Sequence, residues 1–333
     1  KDVVIRTPFL EIALLVGAGE EVKQMQGTSF DRFNTQHQDV IQDVSYDFYG
    51  KRLATCSSDM TIKVWDLDDT SEWKQTAEWK AHNGLHNSST FKLNPALALV
   101  SKIIWAHPEF GQVIASCSAD HTVCIWEEED GTLTQIKQIY FQRITKVREE
   151  GKPWAKRKEI TDFKDEVTDI AFAPNHLGLK LAAASADGCI RIYEAKDIMD
   201  LSNWGIIAEW EASKGGCSCL SWNPSQFDRP AIVVGSSASP ELKVWEFQEA
   251  QARWKQAFAL TGHTDEIYDV SWAPNLEGNA CNAFSRIRLI TFTQNFYLIA
   301  SASKDKTLRI WRLPTNKATP FQPHEDATLP VRP

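Results

Sequence analysis

One pattern recurs five times along the chain and limits its fold more than any other feature. Each copy has a run of small residues, a turn, and a short strand that ends in an aromatic residue. The copies are LATCSSDMTIKVWD at 53–66, IASCSADHTVCIWE at 114–127, LAAASADGCIRIYE at 181–194, IVVGSSASPELKVWEF at 232–247 and IASASKDKTLRIWR at 299–312. The closing aromatic residues are 61, 67, 52 and 66 positions apart. A compact propeller blade takes roughly 40–45 residues, so we assign the excess to loops.

Further strand signals surround each copy. An alternating run comes before it at 40–48, 100–108, 166–174, 218–224 and 266–274, and similar tryptophan-containing segments lie at 71–82, 202–213 and 252–263. Four short strands form a small antiparallel sheet that is unstable alone and has two faces to bury. Stacking such sheets around an axis buries both faces and favours small residues between them. The sequence predicts an all-β propeller with five recognisable blades.

Composition argues against nucleic acid as the main partner. The net charge is −8 and the pI is about 5.6, whereas phosphate backbones attract basic surfaces. The most basic stretch, 141–159, contains a tryptophan and is a candidate contact for nucleic acid or an acidic partner. We favour a solvated loop that leads into a strand, so no direct nucleic-acid partner is predicted.

The cysteines and the apolar segments bear on the cellular compartment. Six of the seven cysteines fall in or beside predicted strands, and the Cys217/Cys219 pair has no second pair to complete a zinc site. We expect reduced, buried thiols and a cytosolic or nuclear location. Apolar residues 7–19 are interrupted by Glu11 and lack a cleavage site. Membrane insertion is not predicted, because no apolar run reaches about 18 residues.

Three of the repeats contain histidine, serine or threonine, aspartate and tryptophan in the same order. The sets are His37, Thr55, Asp59 and Trp65; His82, Ser116, Asp120 and Trp126; and His263, Ser301, Asp305 and Trp311. Serine, histidine and aspartate are also the residue types of a hydrolase triad. A catalytic nucleophile, however, occurs once in a chain, whereas this set occurs three times, and none of these serines lies in a G-x-S-x-G elbow. We therefore predict three structural hydrogen-bond networks. No catalytic residue, cofactor site or metal site is predicted, because no motif for one occurs.

Longer motifs resemble a known family. These are WAHPEFGQVIASCSAD at 105–120, APNHLGLKLAAASADG at 173–188, EAKDIMDLSNW at 194–204 and CSCLSWNPS at 217–225. They resemble the WD-repeat nucleoporins of the Y-shaped scaffold complex of the nuclear pore. The related outer-coat propeller of COPII vesicles is similar in YGKRLATCSSD at 49–59 and in WAHP at 105–108.

The resemblance implies a six-bladed, open ring and a non-enzymatic scaffold. In that family a helical solenoid nucleoporin supplies a β-blade that completes the ring, and further Y-complex subunits are partners. The implied location is the nuclear envelope, at the nuclear pore complex. The same subunit also serves an amino-acid-signalling complex at the lysosomal or vacuolar surface. The COPII coat propeller and a ubiquitin-ligase adaptor are the alternatives.

The chain departs from the family pattern at several places. We expect one propeller domain at 25–314, with inserted loops near 83–98, 128–150 and 276–296. Residues 1–24 are expected to be a poorly ordered extension, with Met25 as a plausible initiator. Residues 315–333 are expected to be a polar tail, too short for a sixth repeat. An open ring leaves a sheet edge and uncovered faces for a partner.

Overall fold

The computed structural model describes residues 2–6, 30–82, 99–129, 154–273, 296–314 and 324–330. The chain divides into two compact units. The first comprises Lys1–Val167 with Asp197–Asn203, and the second comprises Thr168–Lys196 with Trp204–Pro333.

The first unit contains a two-stranded sheet and two four-stranded antiparallel sheets. The half-sheet is β1 (Asp2–Arg6) with β2 (Phe30–Asn34). Sheet 1 contains β3 (Ile41–Tyr46), β4 (Arg52–Ser57), β5 (Thr61–Leu67) and β6 (Trp73–Lys80). Sheet 2 contains β7 (Val100–Trp105), β8 (Val113–Ser118), β9 (Val123–Glu128) and β10 (Trp154–Ile160).

The second unit contains three four-stranded antiparallel sheets, and β11 begins at the boundary between the units. Sheet 3 contains β11 (Val167–Phe172), β12 (Lys180–Ser185), β13 (Cys189–Ala195) and β14 (Trp204–Glu211). Sheet 4 contains β15 (Cys217–Trp222), β16 (Ala231–Ser236), β17 (Glu241–Gln248) and β18 (Arg253–Thr261). Sheet 5 contains β19 (Ile267–Trp272), β20 (Phe296–Ser303), β21 (Thr307–Pro314) and β22 (His324–Pro330). Single 3₁₀ turns lie at Pro108–Phe110, Asn175–Leu177 and Glu249–Gln251.

The five four-stranded sheets confirm the all-β prediction and the order of strands within each repeat. In each sheet the strands pair with their neighbours in chain order. The second strands hold the small residues. Strands β4, β8, β12 and β16 are almost completely buried, whereas residues 297–303 of β20 are a mixture of buried and half-buried. In β5, Ile62 and Val64 are 0% exposed and Trp65 is 5% exposed. Both faces of this strand are therefore covered, as stacked sheets require.

A β-bulge in the fourth strand lies opposite the closing aromatic end of the third strand. A bulge places two residues opposite one and turns the following side chain. The shift in register falls opposite the same position of the third strand in all five sheets: Val64/Trp65, Ile125/Trp126, Ile192/Tyr193, Val244/Trp245 and Ile310/Trp311.

The turn between the second and third strands has a fixed geometry in four sheets. The residue after the turn aspartate has a left-handed backbone, with φ of 69° at Met60, 66° at His121, 83° at Gly188 and 65° at Lys306. Only glycine adopts this region without strain, so the backbone is strained at the three turns that have another residue there. The hydrogen bonds of the aspartate described below hold these turns in place.

The structure differs from the sequence-based expectations at both ends of the propeller domain. Residues 2–6, within the expected poorly ordered extension, form β1 and pair with β2. Residues 324–330, within the expected polar tail, form β22 and complete sheet 5. Neither segment has strong alternation between apolar and polar residues, and backbone pairing alone does not require it. The expected insertions at 83–98, 128–150 and 276–296 lie outside the described residues, apart from residues 128, 129 and 296.

Candidate functional site

The network predicted in sheet 1 is assembled across the turn between its second and third strands. His37 Nδ1 lies 3.0 Å from Asp59 Oδ2, and His37 Nε2 lies 3.0 Å from Thr55 Oγ1. The indole of Trp65 donates to Thr55 Oγ1 over 3.2 Å. A carboxylate only accepts and an indole N–H only donates, so these two ends fix the donor and the acceptor of every hydrogen bond between them. His37 donates from Nδ1 to Asp59 and accepts at Nε2 from the Thr55 hydroxyl.

Sheets 2 and 5 bring together the other two predicted sets with the same geometry. His82 lies 3.1 Å from Asp120 and 3.0 Å from Ser116, which accepts from Trp126 over 3.0 Å. His263 lies 2.8 Å from Asp305 and 2.8 Å from Ser301, which accepts from Trp311 over 2.9 Å.

Each network includes a threonine that the sequence analysis missed. The hydroxyls of Thr61, Thr122 and Thr307 donate to Oδ1 of the turn aspartate two residues earlier, each over 2.6 Å. The threonine fixes the carboxylate so that its second oxygen faces the histidine. The signal was visible as Asp-x-Thr in three of the five repeats.

The environment of the network keeps His37 neutral and Asp59 ionised. Burial lowers the pKa of His37 below 6.5, although the negative charge of Asp59 acts to raise it. Burial raises the pKa of Asp59, but hydrogen bonds from Thr61 and from the backbone of Gln38 outweigh it, and the pKa falls from 3.8 to about 2. The same balance of burial against hydrogen bonds lowers the pKa of Asp120 and Asp305.

This arrangement is unsuited to nucleophilic catalysis. The hydroxyl oxygen is already occupied by an indole N–H, and Thr55 and Ser116 are 0% exposed. A substrate could not reach either hydroxyl without opening the sheet. The geometry therefore favours a structural role for the three sets.

Sheet 3 replaces the histidine network with an ion pair. Phe163 stands four residues before β11, where His37 stands before β3. Arg191 is 1% exposed, and its guanidinium lies 2.9 Å from Asp187 and 2.9 Å from Glu209. Burial would raise the pKa of Asp187, but the hydrogen bond from Arg191 lowers it.

Sheet 4 has neither a histidine nor a hydroxyl behind its tryptophan. Val234 takes the place of Thr55, and the indole N–H of Trp245 has no partner among the described residues. Ser213, in the histidine position, instead contacts Ser236 over 2.7 Å. Lys243 Nζ donates to the carbonyl of Ala212 over 2.9 Å.

Aromatic side chains join neighbouring sheets in a repeated group of four. In the first unit, Trp79 of sheet 1 stacks on Trp154 of sheet 2, with ring centroids 5.3 Å apart, beside Trp126 and Trp105. In the second unit, Trp210 of sheet 3 stacks on Trp254 of sheet 4 at 5.0 Å, beside Trp245 and Trp222.

The half-sheet joins sheet 1 through the same arrangement. Phe33 of β2 lies 6.4 Å from Trp73 with the rings nearly parallel, and 4.9 Å from Trp65. Tyr46 of β3 completes the group at 6.0 Å from Trp73. Strand β2 therefore stands where the fourth strand of a preceding blade would stand.

The cysteines and the basic stretch singled out in the sequence do not form a binding site among the described residues. No disulfide joins the described cysteines, which are mostly buried, and burial raises the pKa of Cys124 and Cys217 to about 12; Cys281 lies outside the described residues. Of the basic stretch, only residues 154–159 are described, and Arg157 there pairs with Glu127 and Glu129. Within the described ranges, no group of histidine, cysteine, aspartate and glutamate could hold a metal ion. Among those residues there is also no helix with the length and hydrophobicity needed to cross a membrane.

Comparisons with known proteins agree with the repeats and the sheets. The WD domain, G-beta repeat, matches residues 29–66, 101–127, 156–194 and 279–312. Nucleoporin SEH1 of Bos taurus and that of Homo sapiens are each 40% identical over 284 residues, which cover 83% of this chain and 67% of each relative. Nucleoporin SEH1 of Danio rerio is 40% identical over 284 residues, covering 83% of this chain and 66% of the relative.

The five antiparallel sheets and the matched repeats define a WD-repeat β-propeller protein. The chain belongs to the family of WD-repeat nucleoporins that contains the Nucleoporin SEH1 proteins.

Proposed function

We propose that this protein is a non-enzymatic scaffold subunit of the nuclear pore complex. In this proposal it belongs to the Y-shaped scaffold and binds a helical solenoid nucleoporin that supplies a β-blade. The nucleoporin names of its relatives support the nuclear pore over the COPII coat and over the lysosomal or vacuolar signalling complex.

The half-sheet is the observation that carries the proposal. It has two strands where each described blade has four. Phe33 is opposite Val3 in its ladder, just as Trp79 is opposite Ile62 and Trp210 is opposite Ile190. Strands β1 and β2 therefore stand at the third and fourth positions of a blade.

An incomplete blade is a natural binding site for strands from another polypeptide. The outer edge of β1 pairs with no strand among the described residues. A partner strand that adds there gains backbone hydrogen bonds and buries apolar area at once. A solenoid protein with a strand-bearing segment at one end fits this requirement.

Co-expression tests the proposal. The full chain is expressed alone, with the strand-bearing segment of the solenoid nucleoporin, and with the corresponding segment of the COPII coat subunit. We expect the chain alone to aggregate and the nucleoporin segment to give a stable one-to-one complex. A well-behaved monomer with a high melting temperature and no complex would overturn the proposal. Selective capture of the coat segment would favour COPII.

A further inference from the structure

Two pairs of neighbouring sheets, one in each unit, are joined by the same two hydrogen bonds. In the first unit, Asp43 of β3 accepts from the backbone N–H of Ile103 over 3.1 Å, and the Ser45 carbonyl accepts from the Trp105 indole over 3.0 Å. Both donors lie on β7, the first strand of the next sheet, and they are two residues apart.

The second unit repeats this arrangement. Asp169 of β11 accepts from the N–H of Leu220 over 2.8 Å, and the Ala171 carbonyl accepts from the Trp222 indole over 3.1 Å. Again both donors lie on the first strand of the next sheet, here β15. In both junctions, the first strand of one sheet therefore binds the first strand of the next sheet. It does so through an aspartate carboxylate and through the backbone carbonyl two residues after that aspartate.

The junction between sheets 4 and 5 lacks the carboxylate and also lacks this pair of contacts. Cys219 of β15 stands in the aspartate position. The indole N–H of Trp272 on β19 has no partner among the described residues. Its backbone N–H instead donates to Ser221 Oγ over 3.0 Å. The paired contacts thus accompany the aspartate.

Strand β19 carries the same two acceptors on an uncovered face. Asp269 and Ser271 take the positions of Asp169 and Ala171. Asp269 Oδ1 accepts from the N–H of Val270 over 2.9 Å, as Asp169 Oδ1 does from its own neighbour over 2.8 Å. Within the described part of the chain, Asp269 Oδ2 has no donor, whereas Asp169 Oδ2 binds the next sheet.

Exposure separates β19 from the other first strands. Every residue of β3, β7, β11 and β15 is buried or half-buried. On β19, Asp269 and Ser271 are exposed, and Tyr268 is 59% exposed. Asp169, in contrast, is 4% exposed. The face of β19 thus has the acceptors of a sheet junction, but no donor from another sheet reaches Asp269 Oδ2 within the described residues.

We propose that this face of β19 binds the first strand of a blade supplied by the partner. That strand donates a backbone N–H to Asp269 and, two residues later, the indole N–H of a tryptophan to the Ser271 carbonyl. This inference rests on the proposed function and adds the chemistry by which the partner is recognised. An acidic residue in the partner strand next to Asp269 is excluded by charge repulsion.

The first test measures binding of the solenoid nucleoporin's strand-bearing segment to variants of the full chain. Asp269→Ala removes a charge-assisted hydrogen bond, so we expect binding about tenfold weaker, and Asp269→Asn between the two. The melting temperature should not fall, because Asp269 is exposed. Asp69→Ala is the matched control, since it removes the same charge from an exposed turn of sheet 1.

The second test follows the indole directly. With ¹⁵N-tryptophan in the partner segment, we expect one indole N–H to become protected from exchange on binding. Replacing that tryptophan with phenylalanine should weaken binding to the wild-type chain and to Asp269→Asn alike.

The outcomes distinguish this inference from the proposed function. If the wild-type chain binds and Asp269→Ala binds as tightly as Asp69→Ala, the docking inference is overturned and the scaffold proposal stands. If the wild-type chain does not bind the segment, both are overturned. If the wild-type chain dimerises and Asp269→Ala does not, the occupant of the face is a second copy of this chain and the inference is wrong.

Discussion

Sheets 1 and 4 share strand order, bulge position and the place of their tryptophan, yet they differ in what lies behind the indole. In sheet 1, Trp65 donates to Thr55, which continues to His37. In sheet 4, Trp245 meets Val234 at that position, and its indole N–H has no partner among the described residues. Both tryptophans nevertheless pack in the same kind of aromatic group. Aromatic and aliphatic packing therefore specifies the blade, and the network adds stability to it.

The largest expected effect comes from removing a tryptophan that is both packed in the core and hydrogen-bonded in a network. Trp311 is 1% exposed and donates to Ser301 over 2.9 Å. We expect Trp311→Ala to lower the free energy of unfolding by about 4 kcal/mol. Trp245→Ala should cost less, because Trp245 is half-buried and lacks the bond. Urea denaturation measures both, and equal losses would contradict the contribution of the network.

The ion pair of sheet 3 gives the second-largest effect. Arg191→Met leaves Asp187 beside an apolar side chain, and breaking a buried pair costs about 3 kcal/mol or more. Adding Asp187→Asn should restore at least half of the loss, because the charge that remains, Glu209, is exposed to water and no buried charge is left without a partner. The melting temperatures of the single and double variants check this. A double variant less stable than Arg191→Met would show that the pairing is not what Arg191 contributes.

The sequence was sufficient for the repeats, because each apolar run must be buried on two faces. It also identified the three complete networks, where histidine, hydroxyl, aspartate and tryptophan recur in order. It did not predict the arrangement of sheet 3, because an arginine in a T-I-K-V-W-like strand is normally exposed to solvent. Nor did it predict the pairing of β1, because a short strand in a ladder has no periodicity of its own. The inter-sheet role of Asp43 and Asp169 could have been inferred from their shared position in the first strands.

We expect a fall in pH to reduce the stability contributed by sheet 1 more than that contributed by sheet 4. The pKa of Asp59 is lowered from 3.8 to about 2, so its contribution is present above pH 3.8 and is lost as the pH falls towards 2. The pKa of His37 is lowered below 6.5, so its contribution is also present above pH 6.5 and is lost as the pH falls through its folded value. We expect Asp59→Asn to be less stable than the wild type at neutral pH, by about 1 to 2 kcal/mol.

Unfolding free energies between pH 7 and pH 2 check this prediction. The difference between the wild type and Asp59→Asn should shrink as the pH falls. Ser213→Ala in sheet 4 is the control, because the Ser213 hydroxyl contacts Ser236 and no carboxylate among the residues that the structure describes. Its curve should stay parallel to that of the wild type. A constant difference for Asp59→Asn would contradict the assignment of the acid loss to this carboxylate.

The smallest expected effect comes from giving sheet 4 the hydroxyl that sheet 1 has. Val234 is opposite Lys243 in its ladder, as Thr55 is opposite Lys63. In Val234→Thr, the new oxygen can accept from Trp245. Because sheet 4 has Ser213 in the histidine position, the new hydroxyl proton is left for the Lys243 carbonyl; the corresponding Lys63 carbonyl of sheet 1 lies 3.4 Å from Thr55 Oγ1. We expect the free energy of unfolding to stay within about 0.5 kcal/mol of the wild type, because both hydrogen-bonding functions are met.

The control for this change is Val244→Thr, at a residue 1% exposed in the apolar cluster of sheets 4 and 5. A hydroxyl there has no indole N–H to accept, so a loss of about 1 to 3 kcal/mol is expected. Slower exchange of the Trp245 indole proton in Val234→Thr would show directly that the bond has formed. If the two valine-to-threonine changes cost the same, the space behind Trp245 is not equivalent to that behind Trp65, and the comparison of the two sheets fails at this position.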